Sequence, residues 1–259
     1  MKLVRFQVLG RTAYGILNND RIAELEAGYL SGPAKPEISH ALSRVQLLAP
    51  CSPSKIVAVG LNYRDHANEL RMATSEIPII FLKPPTTVVG PGDAIVYPGM
   101  SAQMDYEAEL GVVIRDRVRN VRPDEALGHV LGYTCANDVT ARDLQKKDGQ
   151  WTRAKSFDTF CPVGPWIETD LDPDDLLIES YLNGEQRQSS RTAQFIFKVR
   201  ELVSFISEIM TLEPGDLIIT GTPAGVGPMK PGDEIEVRIE GIGSLVNTVR
   251  AECGVRSAE

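Results

Sequence analysis

Hydrophobic and polar residues alternate along much of the chain, and this period of two is the pattern of β-strands with one buried face. Short apolar runs bounded by turn residues predict further strands. The predicted strands cover residues 2–9, 12–17, 21–25, 56–60, 79–83, 105–114, 129–136, 176–182, 217–220, 234–239 and 244–250. Residues 151–157 are also predicted to lead back into a strand. Strands are therefore the main element expected.

Helical spacing of apolar residues occurs in fewer places. Asn62 is the predicted N-cap of a helix running to Leu70, and a polar helix is predicted over 140–145. From Phe195 to Met210 the apolar residues recur every three or four positions, which predicts the longest amphipathic helix. We expect that helix to pack against the core.

Turn residues divide the chain at several points. The sequence Pro-Gly-Asp-x-Ile occurs three times, beginning at Pro91, Pro214 and Pro231. Proline followed by glycine suits the central positions of a type II turn that leads into a strand. These copies are interpreted as repeated turn chemistry and not as a domain duplication.

The N-terminal part differs in pattern from the rest. The alternation loosens through 31–36, and a short helix is predicted before Val45. Prolines near residue 50 then precede a strongly apolar strand. We therefore predict a small β-rich domain at 1–50 and a larger domain at 51–259.

Composition narrows the class of function. The chain has 259 residues, a formal net charge of −8 and a sequence pI near 5.1, which argue against nucleic acid or an anionic membrane as its main partner. No apolar run reaches membrane-spanning length, and the first ten residues lack the continuous apolar stretch of a secretory signal. We expect a cytoplasmic protein that binds a small molecule.

The cysteines give no sign of a disulfide framework or a zinc site. They are widely spaced and form no Cys-x-x-Cys motif. Their positions are Cys51, Cys135, Cys161 and Cys253. We interpret them as buried thiols.

Two carboxylates lie on one face of the predicted strand 105–114. Glu107 and Glu109 are two residues apart, so their side chains point the same way and can converge on one ion. A solvated edge strand with an acidic outer face is the alternative. Gly111 and Val113 favour a strand covered on both sides, where carboxylates without a cation would be costly.

A third carboxylate, Asp138, follows the predicted strand 129–136. It is interpreted either as the N-cap of the next helix or as the residue that completes an oxygen-rich site with Glu107 and Glu109. Arg142 follows one helical turn later. Lys155 taken alone is typical of a solvated surface lysine.

His66 and Glu69 are three residues apart on a predicted helix, which places them on one face. A carboxylate beside an imidazole orients the ring and raises its basicity, as a general base requires. A surface contact is the alternative interpretation. The segment 71–76 has no strong pattern and is a candidate lid.

The glycine-rich segment 221–227 lacks both nucleotide-binding fingerprints, since no Gly-Lys-Ser/Thr and no Gly-x-Gly-x-x-Gly is present. A turn that offers backbone N–H groups and the Thr222 hydroxyl to a carboxylate fits it better.

Taken together, the motifs resemble the fumarylacetoacetate hydrolase family. The matching stretches are Gly60–Glu69, Phe81–Pro84, Asp105–Leu110, Gly132–Tyr133, Asn137–Asp143, Lys155–Phe157 and Thr220–Gly227. They follow the family's order over about residues 51–250. Residues 70–78 and the segment between Gln145 and Trp151 depart from the pattern, so the resemblance does not define specificity.

The resemblance implies an α+β fold, a mixed β-sandwich roll of the family's C-terminal-domain type, with a small β-rich N-terminal unit. It also implies a homodimer and a divalent metal, Mg²⁺ or alternatively Mn²⁺, with no organic cofactor. The implied roles are metal ligation by Glu107, Glu109 and Asp138, catalysis by His66, Glu69 and Lys155, and substrate binding by Arg142, Gln145 and Thr222.

These roles predict a metal-dependent hydrolase or lyase of small 2-oxo acids that acts through a metal-stabilised enolate. Acylpyruvate C–C hydrolysis and oxaloacetate decarboxylation are the reactions expected first. The alternative is an isomerase or decarboxylase of hydroxyheptadienedioate- or hydroxymuconate-type acids. A second alternative is a binding protein of the same fold without turnover.

Overall fold

The computed structural model describes residues 1–29 and 34–252. Its strands are β1 (Lys2–Val8), β2 (Arg11–Asn18), β3 (Arg21–Leu25), β4 (Ala34–Ala41), β5 (Gln46–Leu47), β6 (Ile56–Val59), β7 (Ile80–Lys83), β8 (Val88–Val89), β9 (Ala94–Tyr97), β10 (Met104–Tyr106), β11 (Ala108–Ile114), β12 (Val130–Asn137), β13 (Thr140–Ala141), β14 (Cys161–Glu168), β15 (Leu177–Leu182), β16 (Glu185–Arg191), β17 (Leu217–Ile219), β18 (Gly227–Met229), β19 (Glu234–Ile239) and β20 (Gly243–Ala251).

Helices are fewer and shorter. The α-helices are α1 (Arg64–Leu70), α2 (Pro123–Ala126), α3 (Arg142–Asp148), α4 (Thr152–Lys155) and α5 (Val199–Ile209). Short 3₁₀ turns occur at Leu42–Arg44, Pro85–Thr87, Leu127–His129 and Thr192–Gln194. Within the described ranges, no helix has the length and apolar character needed to cross a bilayer.

The strands form a large sheet and two smaller ones. The large sheet runs in the order β4-β3-β2-β1-β14-β12-β11-β17-β6-β7, with β5 and β8 paired at its side. A five-stranded sheet has the order β16-β15-β19-β20-β9, and a three-stranded sheet has the order β13-β10-β18. This mixed, layered β architecture is the predicted fold.

The main core lies between the large sheet, the five-stranded sheet and α5. It joins Leu110 of β11, Ile239 of β19 and the apolar face of α5, including Leu202 and Ile206. All four side chains are almost fully buried. The amphipathic pattern of the predicted helix therefore identified its packing role, although the helix begins at residue 199 and not at Phe195.

The chain passes from the large sheet into the three-stranded sheet at the neighbouring ends of β11 and β12. We call this place, at Glu107 and Asp138, the crease, and it positions the acidic residues. Ala108 pairs with Asn137 in the large sheet. One residue, Glu107, separates β11 from β10 of the three-stranded sheet, and two residues, Asp138 and Val139, separate β12 from β13. The two connections are joined at this point, because the Asp138 N–H donates to the Glu107 carbonyl at 2.9 Å. The predicted single strand 105–114 is thus two strands in two sheets.

The N-terminal strands extend the large sheet instead of forming a sheet of their own. β1 pairs with β14 through Leu3 and Ile167. The three predicted N-terminal strands are confirmed, but β4 was missed, and the short helix expected before Val45 is a single 3₁₀ turn. Residues 30–33, which include the start of the loosened pattern, lie outside the described residues, as does Cys253.

Several local predictions were wrong. Asn62 does not cap α1, because its side-chain oxygen accepts from the Phe197 N–H and Tyr63 occupies the cap position. The segment 151–157 contains α4 and not a strand, since the chain coils to bring Lys155 inward. Of the two interpretations of Asp138, the structure excludes the helix N-cap, because Val139 and the two residues of β13 separate it from α3.

The repeated Pro-Gly-Asp turns are confirmed. Their glycines, Gly92, Gly215 and Gly232, have φ of 78°, 85° and 97°. This left-handed conformation is the one that the third position of a type II turn requires. Cys51, Cys135 and Cys161 are buried free thiols, as predicted.

Candidate metal centre and active-site cavity

A cavity of about 280 Å³ opens beside the crease. Its lining residues are Val59, Gly60, Leu61, His66, Leu70, Met72, Phe81, Glu107, Glu109, Arg142, Gln145, Lys146, Trp151, Lys155 and Thr222. Seven of the nine residues implicated by the sequence are in this set. The other two contact it, since Asp138 binds Lys155 and Glu69 binds His66.

The three acidic residues converge as the sequence suggested. One carboxylate oxygen from each of Glu107, Glu109 and Asp138 lies within 4.8 Å of the others. All three side chains are buried. The crease supplies Glu107 and Asp138 from adjacent strand ends, and β11 supplies Glu109 two residues later. Oxygen ligands of this kind suit a hard divalent cation.

Two buried ammonium groups hold this cluster together. Lys155 Nζ donates to Glu107 at 2.8 Å and to Asp138 at 2.5 Å. Lys83 Nζ donates to the other Asp138 oxygen at 2.6 Å and to the Lys155 carbonyl at 2.5 Å. Burial lowers the pKa of Lys155, but Asp138 and Glu107 outweigh it and leave the pKa raised. Lys155 therefore stays positively charged at neutral pH.

Glu107 is the most strongly compensated of the three carboxylates. Arg142 binds its second oxygen, while Lys155 binds the first. Burial raises the pKa of Glu107, but Lys155 and Arg142 outweigh it and lower the pKa to about 2. Arg142 is itself oriented by Asp105 at 2.8 Å and by Gln145 at 2.7 Å. Two of its five N–H groups stay available to a ligand.

Glu109 is the least compensated carboxylate. It accepts a hydrogen bond from the Gly221 N–H at 2.7 Å. Burial and the negative charges of Asp138 and Glu107 raise its pKa well above the usual range. A divalent cation among the three carboxylates would supply the missing positive charge, so this donor set fits Mg²⁺ or Mn²⁺.

His66 and Glu69 form the expected pair on α1. Glu69 lies 2.8 Å from His66 Nδ1, and its carboxylate also accepts from the Gly225 N–H at 3.2 Å. Because the carboxylate engages Nδ1, the proton of a neutral imidazole is held there, and Nε2 is left as the basic nitrogen. His66 lines the cavity, so the pair can remove or deliver a proton there.

The glycine-rich turn differs from its predicted use. The Gly221 and Gly225 N–H groups do face carboxylates, but those belong to Glu109 and Glu69 of the chain itself. The Thr222 hydroxyl donates to the Ala108 carbonyl at 2.9 Å. The turn thus fixes the acidic groups in place.

Sequence reasoning missed three buried polar residues that organise the site. Lys83 and Asp105 fix Asp138 and Arg142, and Gln188 fixes Thr222. Lys83 had a local signal, because it ends an apolar strand directly before two prolines. Gln188 had none, since it lies in a polar hairpin strand.

The sequence and the fold match a known family. A family model described as "Fumarylacetoacetate (FAA) hydrolase C-terminal" matches residues 55–250. The chain belongs to the fumarylacetoacetate hydrolase family. A second model, "Rv2993c-like, N-terminal", matches residues 1–50 of this family member.

Curated relatives in the fumarylacetoacetate hydrolase family cover most of the chain. "Oxaloacetate tautomerase Fahd2a, mitochondrial" from Rattus norvegicus is 39% identical over 95% of this chain and 79% of its own length. "Protein Rv2993c" from Mycobacterium tuberculosis is 51% identical, covering 80% of each chain.

Solved structures of family members agree closely with the fold. "5-carboxymethyl-2-hydroxymuconate delta-isomerase" from Mycobacterium smegmatis has a TM-score of 0.92 and 42% identity, covering 97% of this chain and all of its own (100%). "2-hydroxyhepta-2,4-diene-1,7-dioate isomerase" from Mycobacterium marinum has a TM-score of 0.90 and 44% identity, covering 98% of this chain and 100% of its own.

Proposed function

We propose that the protein is a divalent-metal-dependent enzyme that transfers a proton on small 2-oxo diacids, as a keto–enol tautomerase or a double-bond isomerase. The observation that carries this proposal is the joint placement of an acidic triad, a charged lysine and a carboxylate-paired histidine at one cavity. Relatives named as a tautomerase and as isomerases support it.

When bound, the cation supplies positive charge at the carboxylate and 2-oxo oxygens of the substrate. Lys155 adds a second positive charge at the same wall of the cavity. Its ammonium is fixed by Glu107 and Asp138, so it need not reorganise when negative charge develops in an enolate.

His66 is proposed as the group that moves the proton. Its Nε2 takes a proton from the carbon next to the 2-oxo group, and returning that proton to oxygen or to another carbon completes tautomerisation or isomerisation. Glu69 stabilises the imidazolium that forms between the two steps. Arg142 and Gln145 are proposed to bind a substrate carboxylate.

Hydrolysis or decarboxylation is the second candidate. The same base can activate a water for C–C cleavage, and "maleylpyruvate hydrolase" from Sphingobium, with 30% identity and a TM-score of 0.81, favours it. Proton transfer is preferred because it requires only the base and the positive charges found at the cavity, without a separately positioned water.

The test is an ultraviolet assay with added MgCl₂ or MnCl₂, in which the enol absorbance of oxaloacetate and the diene absorbance of hydroxymuconate-type acids are followed beside acylpyruvate cleavage. We expect fast tautomerisation or isomerisation that EDTA abolishes. Glu107→Ala should also abolish it, whereas Glu208→Ala, an exposed change on α5, should not.

Each outcome separates the candidates. Cleavage of acylpyruvates without tautomerisation would support the hydrolase instead. His66→Ala should then reduce hydrolysis far more than decarboxylation, since only hydrolysis needs an activated water. Binding of Mg²⁺ without turnover of any of these acids would contradict an enzymatic role.

A further inference from the structure

The side-chain amide of Gln188 has only one possible orientation. Gln188 lies on β16 and is 1% exposed. Its Oε1 accepts from the Ala108 backbone N–H at 3.0 Å, and a backbone N–H can only donate. Its Nε2 lies 2.8 Å from the Pro223 carbonyl, which can only accept. The oxygen and the nitrogen of the amide are therefore assigned without ambiguity.

This assignment fixes the role of the Thr222 hydroxyl. Gln188 Nε2 donates to Thr222 Oγ1 at 2.8 Å, which uses one lone pair of the hydroxyl oxygen. The hydroxyl hydrogen goes to the Ala108 carbonyl at 2.9 Å. A hydroxyl has one hydrogen and two lone pairs, so a single lone pair stays unused. Thr222 lines the cavity.

We propose that Thr222 is a hydrogen-bond acceptor for the ligand, and that the cavity therefore selects the 2-hydroxy, or enol, form of a 2-oxo acid. This inference rests on the proposed function, since it assigns a specificity role within that cavity. An enol hydroxyl can donate to Thr222 Oγ1, whereas a keto oxygen facing the same atom would be repelled. The structure thus changes Thr222 from an expected donor to a carboxylate into an acceptor.

Gln188 acts as a positioning residue. It does not line the cavity, but it joins β16 to the start of β11 and to the glycine-rich turn. Together with the bond to Thr222, a fourth contact, donated by the Ser180 hydroxyl to Oε1 at 3.0 Å, completes its hydrogen bonding. With each amide atom bonded twice, Gln188 has no freedom to rotate and release the Thr222 hydroxyl.

The test compares two nearly isosteric probes, oxalate, which only accepts hydrogen bonds when ionised, and oxamate, whose amide donates. Their dissociation constants are measured by titration calorimetry with saturating MgCl₂ on wild-type protein, Thr222→Val and Thr222→Ser. We expect Thr222→Val to weaken oxamate roughly fivefold relative to oxalate, as for one neutral hydrogen bond. Thr222→Ser keeps the hydroxyl and should keep the wild-type ratio.

A purely structural role for Thr222 would weaken both probes equally and leave their ratio unchanged, which would overturn the inference. If Thr222→Val does not fold, Thr222→Cys replaces it, because a thiol is a weaker acceptor of similar size and should shift the ratio in the same direction. If wild-type protein binds neither probe with MgCl₂, the proposed function fails together with the inference. Binding of both with an unshifted ratio sinks only the inference.

Discussion

At the scale of single residues, the site is a balance of buried charges. The site contains four carboxylates and three positively charged side chains. The carboxylates are Asp105, Glu107, Glu109 and Asp138, and the positively charged residues are Lys83, Lys155 and Arg142. With every group ionised the sum is about one negative charge, by the ordinary charges of these side chains. A dication reverses that sign, which favours binding of an anionic acid in the adjoining cavity.

Glu109→Gln tests which carboxylate depends most on the cation. Because Glu109 is buried with its pKa raised well above the usual range, we expect the neutral variant to be as stable as wild type, or more stable, in EDTA. The rise in melting temperature on adding MgCl₂ should disappear. Scanning fluorimetry with and without MgCl₂ measures both, and a variant that kept the MgCl₂-dependent rise would contradict the ligand assignment.

Lys83→Met tests the lysine that the sequence did not reveal. Removing one partner of a buried ion pair leaves the Asp138 charge uncompensated and costs about 3–5 kcal/mol. We expect that loss in the free energy of urea unfolding in EDTA, and a smaller loss with MgCl₂, which supplies positive charge nearby. Lys230→Met, at an exposed lysine, is the control. Equal losses in both solutions would argue against charge as the cause.

Sequence analysis identified the site residues that have a characteristic spacing to a neighbouring site residue along the chain. Glu107 and Glu109 stand out by strand spacing, and His66 with Glu69 by helix spacing. Lys83 and Asp138 are 55 residues apart and meet only after the sheets form. No local pattern records such a contact, so Lys83 was part of a matching motif without a role.

At the scale of elements, the positions of strands along the chain were easier to predict than the sheet to which each strand belongs. Alternation located residues 105–114 in extended structure, but it could not show that the chain changes sheets at Glu107, because side chains alternate through a crease as they do along a strand. α4 was missed since four residues are too few to establish a helical period.

Gly225→Ala tests the glycine-rich turn. Gly225 has φ of 96°, and an added Cβ would lie 2.3 Å from the Arg187 carbonyl oxygen. We expect a loss of roughly 2 kcal/mol in unfolding free energy and a marked fall in activity, because the turn also holds Glu69. Gly232→Ala is the matched control, with φ of 97° and no neighbour within 4 Å. Equal effects in the two variants would mean that φ strain alone matters.

Asp216→Asn tests the junction between β17 and the chain before β6. The buried carboxylate binds Lys55, Ser54 and the Glu213 N–H. Burial raises the pKa of Asp216, but Lys55 and Ser54 outweigh it and lower the pKa. We expect Asn to reduce unfolding free energy by about 2 kcal/mol at pH 7.

The pH dependence of this variant has a defined sign. A carboxylate whose pKa is lowered by folding stabilises the protein fully above its unfolded pKa of about 3.9, and that stability is lost as pH falls through the lower folded value. The difference between wild type and Asp216→Asn should therefore shrink below about pH 4. Urea unfolding at pH 7 and at acidic pH measures it, and a constant difference would contradict the ionised role.

At the scale of the whole molecule, the N-terminal strands belong to the same sheet as the strands next to the cavity. β1 pairs with β14, which pairs with β12 next to the crease. The boundary predicted near residue 50 came from prolines, which mark a connection but carry no information on which sheet the preceding strands join. The division into two domains stays a prediction.

The homodimer also stays a prediction, now proposed for this chain from its family. The chain mass is 28.4 kDa, so sedimentation should give about twice that value at micromolar concentration. A monomer that retained full activity would show that one chain completes the cavity by itself.

The crease at Glu107 and Asp138 has a mechanical consequence. An ion bound there would link the backbone of the large sheet to that of the three-stranded sheet. Binding of the ion should therefore reduce the mobility of the backbone at the crease. Amide protons of the three-stranded sheet near Tyr106 and Thr140 should then exchange more slowly with deuterated solvent once the ion is present. The exchange rates in the distant β2–β3 hairpin should not change.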